Sequence, residues 1–196
     1  ALDMNYLILV LVFYITFFVL DVIVDLLNMS HVKEDIPTEF KDVYDAEKYA
    51  HSQRYLKEQT RFSLLQNALS FMVMIPFILL GGFNVVDVVV RGFGYSSLVT
   101  GIIYMFSLIF ANQILSLPFS LYHTFVIEEK YGFNKTTYKT FFLDMIKGIL
   151  LTIIIGAPVL AAVLWFFETT GASAWLICWG FITVVQLIIT FIAPTF

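Results

Sequence analysis

A long uncharged run limits what this chain can fold into. No Asp, Glu, Lys or Arg occurs in residues 92–127, and the run ends abruptly on Glu128, Glu129 and Lys130. A helix of that length would reach ~54 Å, which exceeds the ~30 Å hydrocarbon core of a bilayer. We therefore expect a membrane helix that tilts, bends at Pro118 or projects from the bilayer, and we expect its charged end to lie in water.

The composition extends this conclusion to the whole chain. Hydrophobic residues make up 60% of the sequence, charged residues make up 13%, and the mean hydropathy is +0.87. A soluble globular domain does not have this balance, so the sequence predicts an all-α, polytopic membrane helix bundle. A polar helix is expected between the first and second of about five transmembrane helices. The predicted spans lie near residues 4–27, 64–90, 95–127, 141–167 and 172–196.

The longest hydrophilic segment, residues 28–63, separates the first two spans. It carries Lys and Arg beside a similar number of acids, and this mixture of signs is not typical of a tract that binds nucleic acid or lipid. After Pro37 the pattern becomes helical, and Asp45 is placed to cap a helix that continues into the second span. We expect this polar helix to stand off the membrane surface.

The positions of Lys and Arg predict the orientation in the membrane. With five spans, segment 28–63, segment 128–140 and the C-terminus share one side, and ten of the eleven Lys and Arg residues, all but Arg91, lie on or near it. The positive-inside rule makes that side cytoplasmic and the N-terminus extracytoplasmic. The acceptor sequons at Asn28 and Asn134 would then face away from any glycosylating compartment, and glycan on either would contradict this topology.

Two pairs of polar side chains within the apolar spans are candidates for a functional role. Asp21 and Asp25 are four residues apart, on one face of the first span, and either serve a polar cavity or mark the point where the helix leaves the membrane. Asn112 and Gln113 lie within the third span, where amides either form hydrogen bonds between helices or line a wet cavity. The residues alone leave both alternatives open for each pair.

No complete catalytic site can be assembled from these residues. None of the three histidines, His31, His51 and His123, begins a His-Glu-x-x-His pattern, which would place two zinc ligands on one helical face. Glu128 and Glu129 are adjacent, so on a helix their side chains point about 100° apart and do not form a conventional acid and base pair. By itself, this charged cluster either caps the long helix in water or carries a function.

Three segments nevertheless resemble motifs of one family. Residues 124–135 look like the characteristic loop of the CAAX prenyl protease family, although Lys130 and Tyr131 stand where Arg and His are more frequent. Residues 45–55 resemble a second motif of the family, and residues 192–196 resemble a third. The three segments occur in the expected order, and the resemblance covers nearly the whole chain.

The resemblance implies an enzyme as the intact parent. Members of the family are integral-membrane zinc metalloendopeptidases that remove the last three residues of prenylated CAAX proteins. Their His-Glu-x-x-His motif and third zinc ligand follow the position where this sequence stops, so the resemblance is to the N-terminal membrane domain. It implies no catalytic or metal-binding residue in this segment, which alone should be inactive. The implied membrane is the endoplasmic reticulum of a eukaryote or the plasma membrane of a prokaryote.

The resemblance also implies partners and candidate site residues. The partners are a missing C-terminal catalytic half, a peptide or prenylated-protein substrate and the lipid bilayer, with no nucleic acid. Because the family's membrane helices enclose a water-filled chamber, the candidate chamber-lining residues are Asp21, Asp25, Asn112 and Gln113. The charged loop, residues 128–134, would position the catalytic half or the substrate through Glu128, Glu129, Lys130, Gly132, Phe133 and Asn134.

A function of another class is the alternative. The chain could form a transporter or channel-like helix bundle without proteolytic activity, in which the intramembrane polar side chains line a pathway. Against this alternative, the charged residues within the spans are few and lie near helix ends, whereas transport sites usually lie near the midplane. A third possibility is an inert scaffold for helix packing.

Overall fold

The structure is a computed structural model that describes residues 4–37 and 45–192, without the side chains of Ala172 and Ile192. All regular elements in this part of the chain are helical, which confirms the predicted all-α class. Residues 193–196, and with them most of the third motif, lie outside the described residues. The helices are α1 (Met4–His31), α2 (Ala46–Leu79), α3 (Gly82–Arg91), α4 (Ser97–Tyr122), α5 (Tyr138–Thr170) and α6 (Ala174–Ile192).

Five of the helical segments are long and apolar enough to cross a membrane, which confirms the predicted number of spans. Their apolar side chains are largely exposed, so most of the surface that a soluble protein would bury is left for lipid to cover. The candidate spans are Met4–His31, Ala46–Leu79, Ser97–Glu128, Tyr138–Thr170 and Ala174–Phe191.

Helix α2 joins the predicted polar helix to the second span without a break. The Asp45 carboxylate caps it, because one oxygen accepts hydrogen bonds from the backbone N–H of Glu47 at 2.9 Å and of Lys48 at 3.0 Å. The hydrogen bond from Lys48, with that from Glu47, lowers the pKa of Asp45. The prediction that Asp45 caps a helix continuous with the membrane span is thus confirmed.

The end of α2 differs from the predicted second span near 64–90. The helix ends at Leu79, and Gly81 takes a positive φ of 73°, a conformation that breaks a helix and that glycine adopts without strain. The Phe77 ring then packs where a side chain on Gly82 would stand. Residues 82–91 therefore form the separate helix α3, whose polar and apolar residues lie on different faces.

The chain divides into two compact units, Ala1–Phe83 with Gln113–Lys135 and Asn84–Asn112 with Thr136–Phe196. In the first unit α1 packs on α2, where the Phe71 ring stacks on Phe18 at 4.1 Å and on Tyr14 at 5.4 Å between ring centroids. Stacked aromatic rings stabilise a helix pair in a medium that offers no hydrophobic driving force.

The second unit is built around the packing of α5 against α6. Phe166 and Phe181 meet edge to face at 5.6 Å between ring centroids, and the buried Cys178 thiol lies 3.7 Å from the Val163 carbonyl oxygen. Gly101 of α4 lies against Leu164 of α5, so the absence of a side chain there allows a close approach.

Candidate functional site

The charged loop begins at a π-helical turn that the sequence did not predict. Helix α4 ends at Tyr122, and residues His123–Glu128 continue as one wider turn. Ile127 in this turn is the most deeply buried large side chain in the described residues. Turns of this kind are rare overall, and those that do occur often lie at functional sites. No local sequence pattern marks them.

After this turn the chain reverses at Gly132. Its φ is 73°, and the Glu128 carbonyl oxygen accepts hydrogen bonds from the backbone N–H of Phe133 at 2.9 Å and of Asn134 at 3.2 Å. The last carbonyl groups of a helix have no partner within the helix. When the residue just after the helix has a left-handed backbone conformation, these carbonyl groups can accept such hydrogen bonds. Gly132 thus allows the chain to reverse after the π-helical turn.

Replacing Gly132 with alanine is expected to lower the thermal unfolding midpoint by about 2–4 °C. No atom lies within 4 Å of the position that the new Cβ would occupy, so the expected loss of about 1 kcal/mol comes from the left-handed backbone alone. Gly148→Ala in α5 is the matched control, since that glycine is helical and also has open space around it. An equal loss in both variants would contradict the backbone explanation.

A carboxylate of α2 holds the loop. One oxygen of Glu58, Oε2, accepts hydrogen bonds from Lys130 Nζ at 2.6 Å and from the Tyr131 hydroxyl at 2.7 Å. The hydrogen bond from Lys130 raises the pKa of that ammonium group, and burial, with the bond to Glu58, raises the pKa of Tyr131. The side chain of Glu58 is 33% exposed and that of Lys130 is 58% exposed, so water weakens the ion pair.

Aromatic rings extend this contact along α2. The Tyr131 ring meets His51 at 5.2 Å and Tyr55 at 5.3 Å, and the Phe133 ring meets Tyr55 at 4.7 Å, all edge to face and measured between ring centroids. His51, Tyr55 and Glu58 occupy positions i, i+4 and i+7, so they share one helical face. We call these three residues the loop-binding face of α2.

The contact continues at the base of the loop. Phe62, one turn after Glu58, stacks on Tyr122 at 5.2 Å and lies 6.2 Å from the ring of His123. His123 Nδ1 also lies 3.7 Å from Glu128 Oε1. The end of α4 and the charged loop are therefore held along four successive turns of α2.

The structure brings the predicted loop residues together in two groups. Lys130 turns to α2, as described, while Glu129 remains exposed and its Oε2 accepts a hydrogen bond from Asn134 Nδ2 at 2.9 Å. Phe133 packs on Tyr55 yet keeps 49% of its surface exposed. Glu129 and the exposed part of Phe133 thus form a surface that the contact with α2 leaves open.

The four predicted chamber residues lie outside this cluster. On α1, Asp21 is exposed, and Asp25, one turn later, is half-buried. Asn112 and Gln113 are neighbours on α4, and both are exposed. A chamber-lining role for these residues stays a prediction.

The described residues do not fit a metal site. No group of three or more His, Cys, Asp and Glu side chains is placed to hold a metal ion in residues 4–37 and 45–192. Three or four such ligands are the usual requirement of a zinc site.

The sequence did not predict the loop-binding face. His51 and Tyr55 lie within the segment that resembles a family motif, and the helical spacing of His51, Tyr55 and Glu58 is legible in the sequence. That spacing indicates a common face but not its partner. Lys130 and Tyr131 are 72 and 73 residues away from Glu58, and several other acids of the hydrophilic segment were equally plausible partners.

Attachment of the loop to α2 is expected to be insensitive to pH between about 6 and 9. The pKa values of Lys130 and Tyr131 are raised by their surroundings, so both donors keep their protons below their ordinary pKa values of about 10 and release them only at higher pH. The measurement is the fluorescence anisotropy of a probe on Lys135→Cys in a Cys178→Ala background. Lys130→Met supplies the signal of a loosened loop, and a change in anisotropy between pH 6 and 9 would contradict this expectation.

Comparisons with known proteins agree with this architecture. A family model described as the CAAX prenyl protease N-terminal region, with five membrane helices, matches residues 25–196. A CAAX prenyl protease 1 homolog of Oryza sativa is 30% identical over 94% of this chain, which covers 45% of that protein. A probable CAAX prenyl protease 1 of Schizosaccharomyces pombe is 31% identical over 84% of this chain, which covers 37% of that protein.

A solved structure has the same fold. The crystal structure of Ste24p from S. mikatae superposes with a TM-score of 0.86 and 26% sequence identity. The alignment covers 99% of this chain and 47% of that protein. The chain therefore spans about half the length of the relatives that it matches.

Proposed function

This chain belongs to the family of CAAX prenyl protease N-terminal domains, and on that premise we propose that it is the membrane-embedded part of a zinc metalloendopeptidase. In this proposal the chain binds no zinc and performs no chemical step. It forms the wall of the chamber in which a catalytic half works, and it positions that half or the substrate through the charged loop. The family match supports this function over a transporter or channel.

The observation that carries the proposal is the attachment of the charged loop to α2. Glu58 accepts hydrogen bonds from two consecutive loop residues, Lys130 and Tyr131, and the aromatic rings of the loop-binding face pack beside them. A loop held at several points loses conformational freedom before any partner binds. The later docking of a partner then costs less ordering entropy.

The exposed side of the loop is the surface that we assign to the partner. The carboxylate of Glu129 is held by the Asn134 side chain but is otherwise open, and Phe133 offers half of its ring. A carboxylate fixed in this way can accept hydrogen bonds from backbone or side-chain donors of a catalytic half or of an extended substrate. A half-exposed aromatic ring beside it provides apolar contact area.

The chamber wall and the orientation are parts of the same proposal. Asp21, Asp25, Asn112 and Gln113 are the side chains of the spans that we assign to the water-filled side. The accumulation of Lys and Arg supports a cytoplasmic charged loop and an extracytoplasmic N-terminus. The substrates in this proposal are peptides or prenylated proteins, because the curated relatives are named CAAX prenyl protease 1 homologs.

Two measurements on the parent protein test this function. Translation of the parent reading frame beyond residue 196 should reveal a His-Glu-x-x-His motif, and the purified parent should contain about one zinc ion per chain. Residues 1–196 purified alone should retain no zinc after dialysis. A parent frame that continues with membrane spans and no zinc-binding motif would overturn the proposal.

A further inference from the structure

Helix α3 has two chemically different faces. Val85, Val88 and Val89 lie at positions i, i+3 and i+4 and share one face of Gly82–Arg91. Asn84, Asp87 and Arg91, at positions i, i+3 and i+7, share a second face that adjoins the first. The helix is therefore amphipathic along its whole length.

The apolar face of α3 is not covered by the rest of the chain. Val85, Val88 and Val89 are 58%, 60% and 57% exposed, whereas Val90, on the other side of the helix from Val85 and Val88, is only 3% exposed. The helix thus packs on the protein through the side that carries Val90, and the three exposed valines point away from that contact. Three adjacent exposed valines on a fixed helix need an apolar partner to be stable in water.

The position of α3 in the chain identifies that partner. The helix begins at Gly82, just after Leu79 ends one candidate span, and its last residue, Arg91, is six positions before Ser97 begins the next. Short connections of this kind hold both ends of α3 near the membrane boundary. A helix of ten residues is ~15 Å long, too short to cross the bilayer but long enough to lie along its surface.

The residues that flank α3 fit the same location. Phe93 and Tyr95, between α3 and the next span, are both 60% exposed. Aromatic side chains, Tyr in particular, are enriched at the level of the lipid headgroups. At the level of the headgroups, lipid lies within reach of the exposed valines. It can cover them without a second protein chain.

The polar face of α3 is electrically balanced. Arg91 donates a hydrogen bond to Asp87 at 2.8 Å, one helical turn away, and this bond raises the pKa of the guanidinium. The pair cancels the charge of the helix at neutral pH. Attraction to anionic headgroups, which strengthens the binding of many basic surface helices, is therefore not available to α3.

We propose that α3 lies in the plane of the membrane interface, with Val85, Val88 and Val89 inserted among the upper acyl chains and with the paired Asp87 and Arg91 toward water. The partner of this surface is the lipid itself. The insertion depends on apolar contact and not on the charge of the headgroups.

Spin-label accessibility tests this proposal directly. Single cysteines replace Val85, Val88, Val89 or Asn84 in a Cys178→Ala chain that is reconstituted in phosphatidylcholine nanodiscs. Asn84→Cys is the control at the border of the polar face, since this residue is also exposed and belongs to the same helix. Collision with oxygen, which concentrates in acyl chains, is compared with collision with a water-soluble nickel chelate.

The three valine positions should favour oxygen over the nickel chelate by roughly tenfold, and Asn84 should show a clearly lower ratio of oxygen to nickel collisions. Addition of phosphatidylglycerol to the nanodiscs should leave these ratios unchanged. Equal access of the nickel chelate at all four positions would place α3 in water and overturn the proposal. Exclusion of both reagents from the valines would also overturn it, because a protein surface, such as a second copy, would then cover them.

Discussion

In the proposed full-length endopeptidase, replacing Glu58 with alanine is expected to lower the turnover number roughly tenfold. The substitution removes the oxygen that accepts hydrogen bonds from both Lys130 and Tyr131, so the charged loop loses its polar attachment to α2. The aromatic contacts of Tyr55 remain, and for this reason the loop should become loosely held and not detached. The loss should appear in kcat more than in KM. The substitution disturbs the positioning of the catalytic half or the substrate by the loop, and it leaves the binding of the substrate in its ground state largely unchanged.

Matched variants separate this effect from a general loss of structure. Glu47→Ala removes another acid from the same helix, one that is exposed and lies three turns before Glu58, and it should leave turnover nearly unchanged. Glu58→Gln keeps an acceptor oxygen but loses the charge, so its turnover should fall between those of the wild type and Glu58→Ala. Similar turnover in Glu47→Ala and Glu58→Ala, at equal yields of folded protein, would contradict a role for the loop-binding face.

Replacing Glu129 with alanine in the full-length parent is expected to lower turnover by roughly 10- to 100-fold while the yield of folded protein changes little. Glu129 is exposed, so its removal leaves no buried cavity and should cost the fold little. Its carboxylate, held by Asn134, is the acceptor that we assign to the catalytic half or the substrate. Turnover is measured by the release of the C-terminal tripeptide from a prenylated peptide.

The conservative variant distinguishes two ways in which Glu129 could act. Glu129→Gln keeps an oxygen for the Asn134 side chain and removes the charge. If the variant restores most of the turnover lost in Glu129→Ala, the residue acts by shaping the loop. If it does not, the charge itself engages the partner. Unchanged turnover in Glu129→Ala would remove Glu129 from the proposed positioning surface.

Much of the fold followed from local physical chemistry. The spans were predictable because continuous apolar runs of that length are stable as helices only in a bilayer, and the Asp45 cap and the reversal at Gly132 follow from the chemistry of single residues. The end of α2 was not predicted, because Gly81 and Gly82 are compatible with a continuing membrane helix. The packing of Phe77 on Gly82, a contact between side chain and backbone, accompanies the break at that point.

The candidate site was only half predictable. The resemblance identified the charged loop, but the contact of Lys130 and Tyr131 with Glu58 joins segments that are more than 70 residues apart. Pairing over such a distance depends on the packing of α2 against the end of α4, for which the sequence has no local signal. The π-helical turn at His123–Glu128 was missed for the related reason that tertiary packing, and not helix propensity, selects it.

The most direct test of the central proposal is to reconstitute the enzyme from two polypeptides. Residues 1–196 and the remainder of the parent are expressed separately or together in one membrane, and release of the C-terminal tripeptide is measured. We predict activity only when both are present, with that activity reduced by Glu58→Ala in the first polypeptide. Full activity of the remainder alone, or cleavage by residues 1–196 alone, would contradict the proposal that this chain positions a catalytic half supplied by the parent.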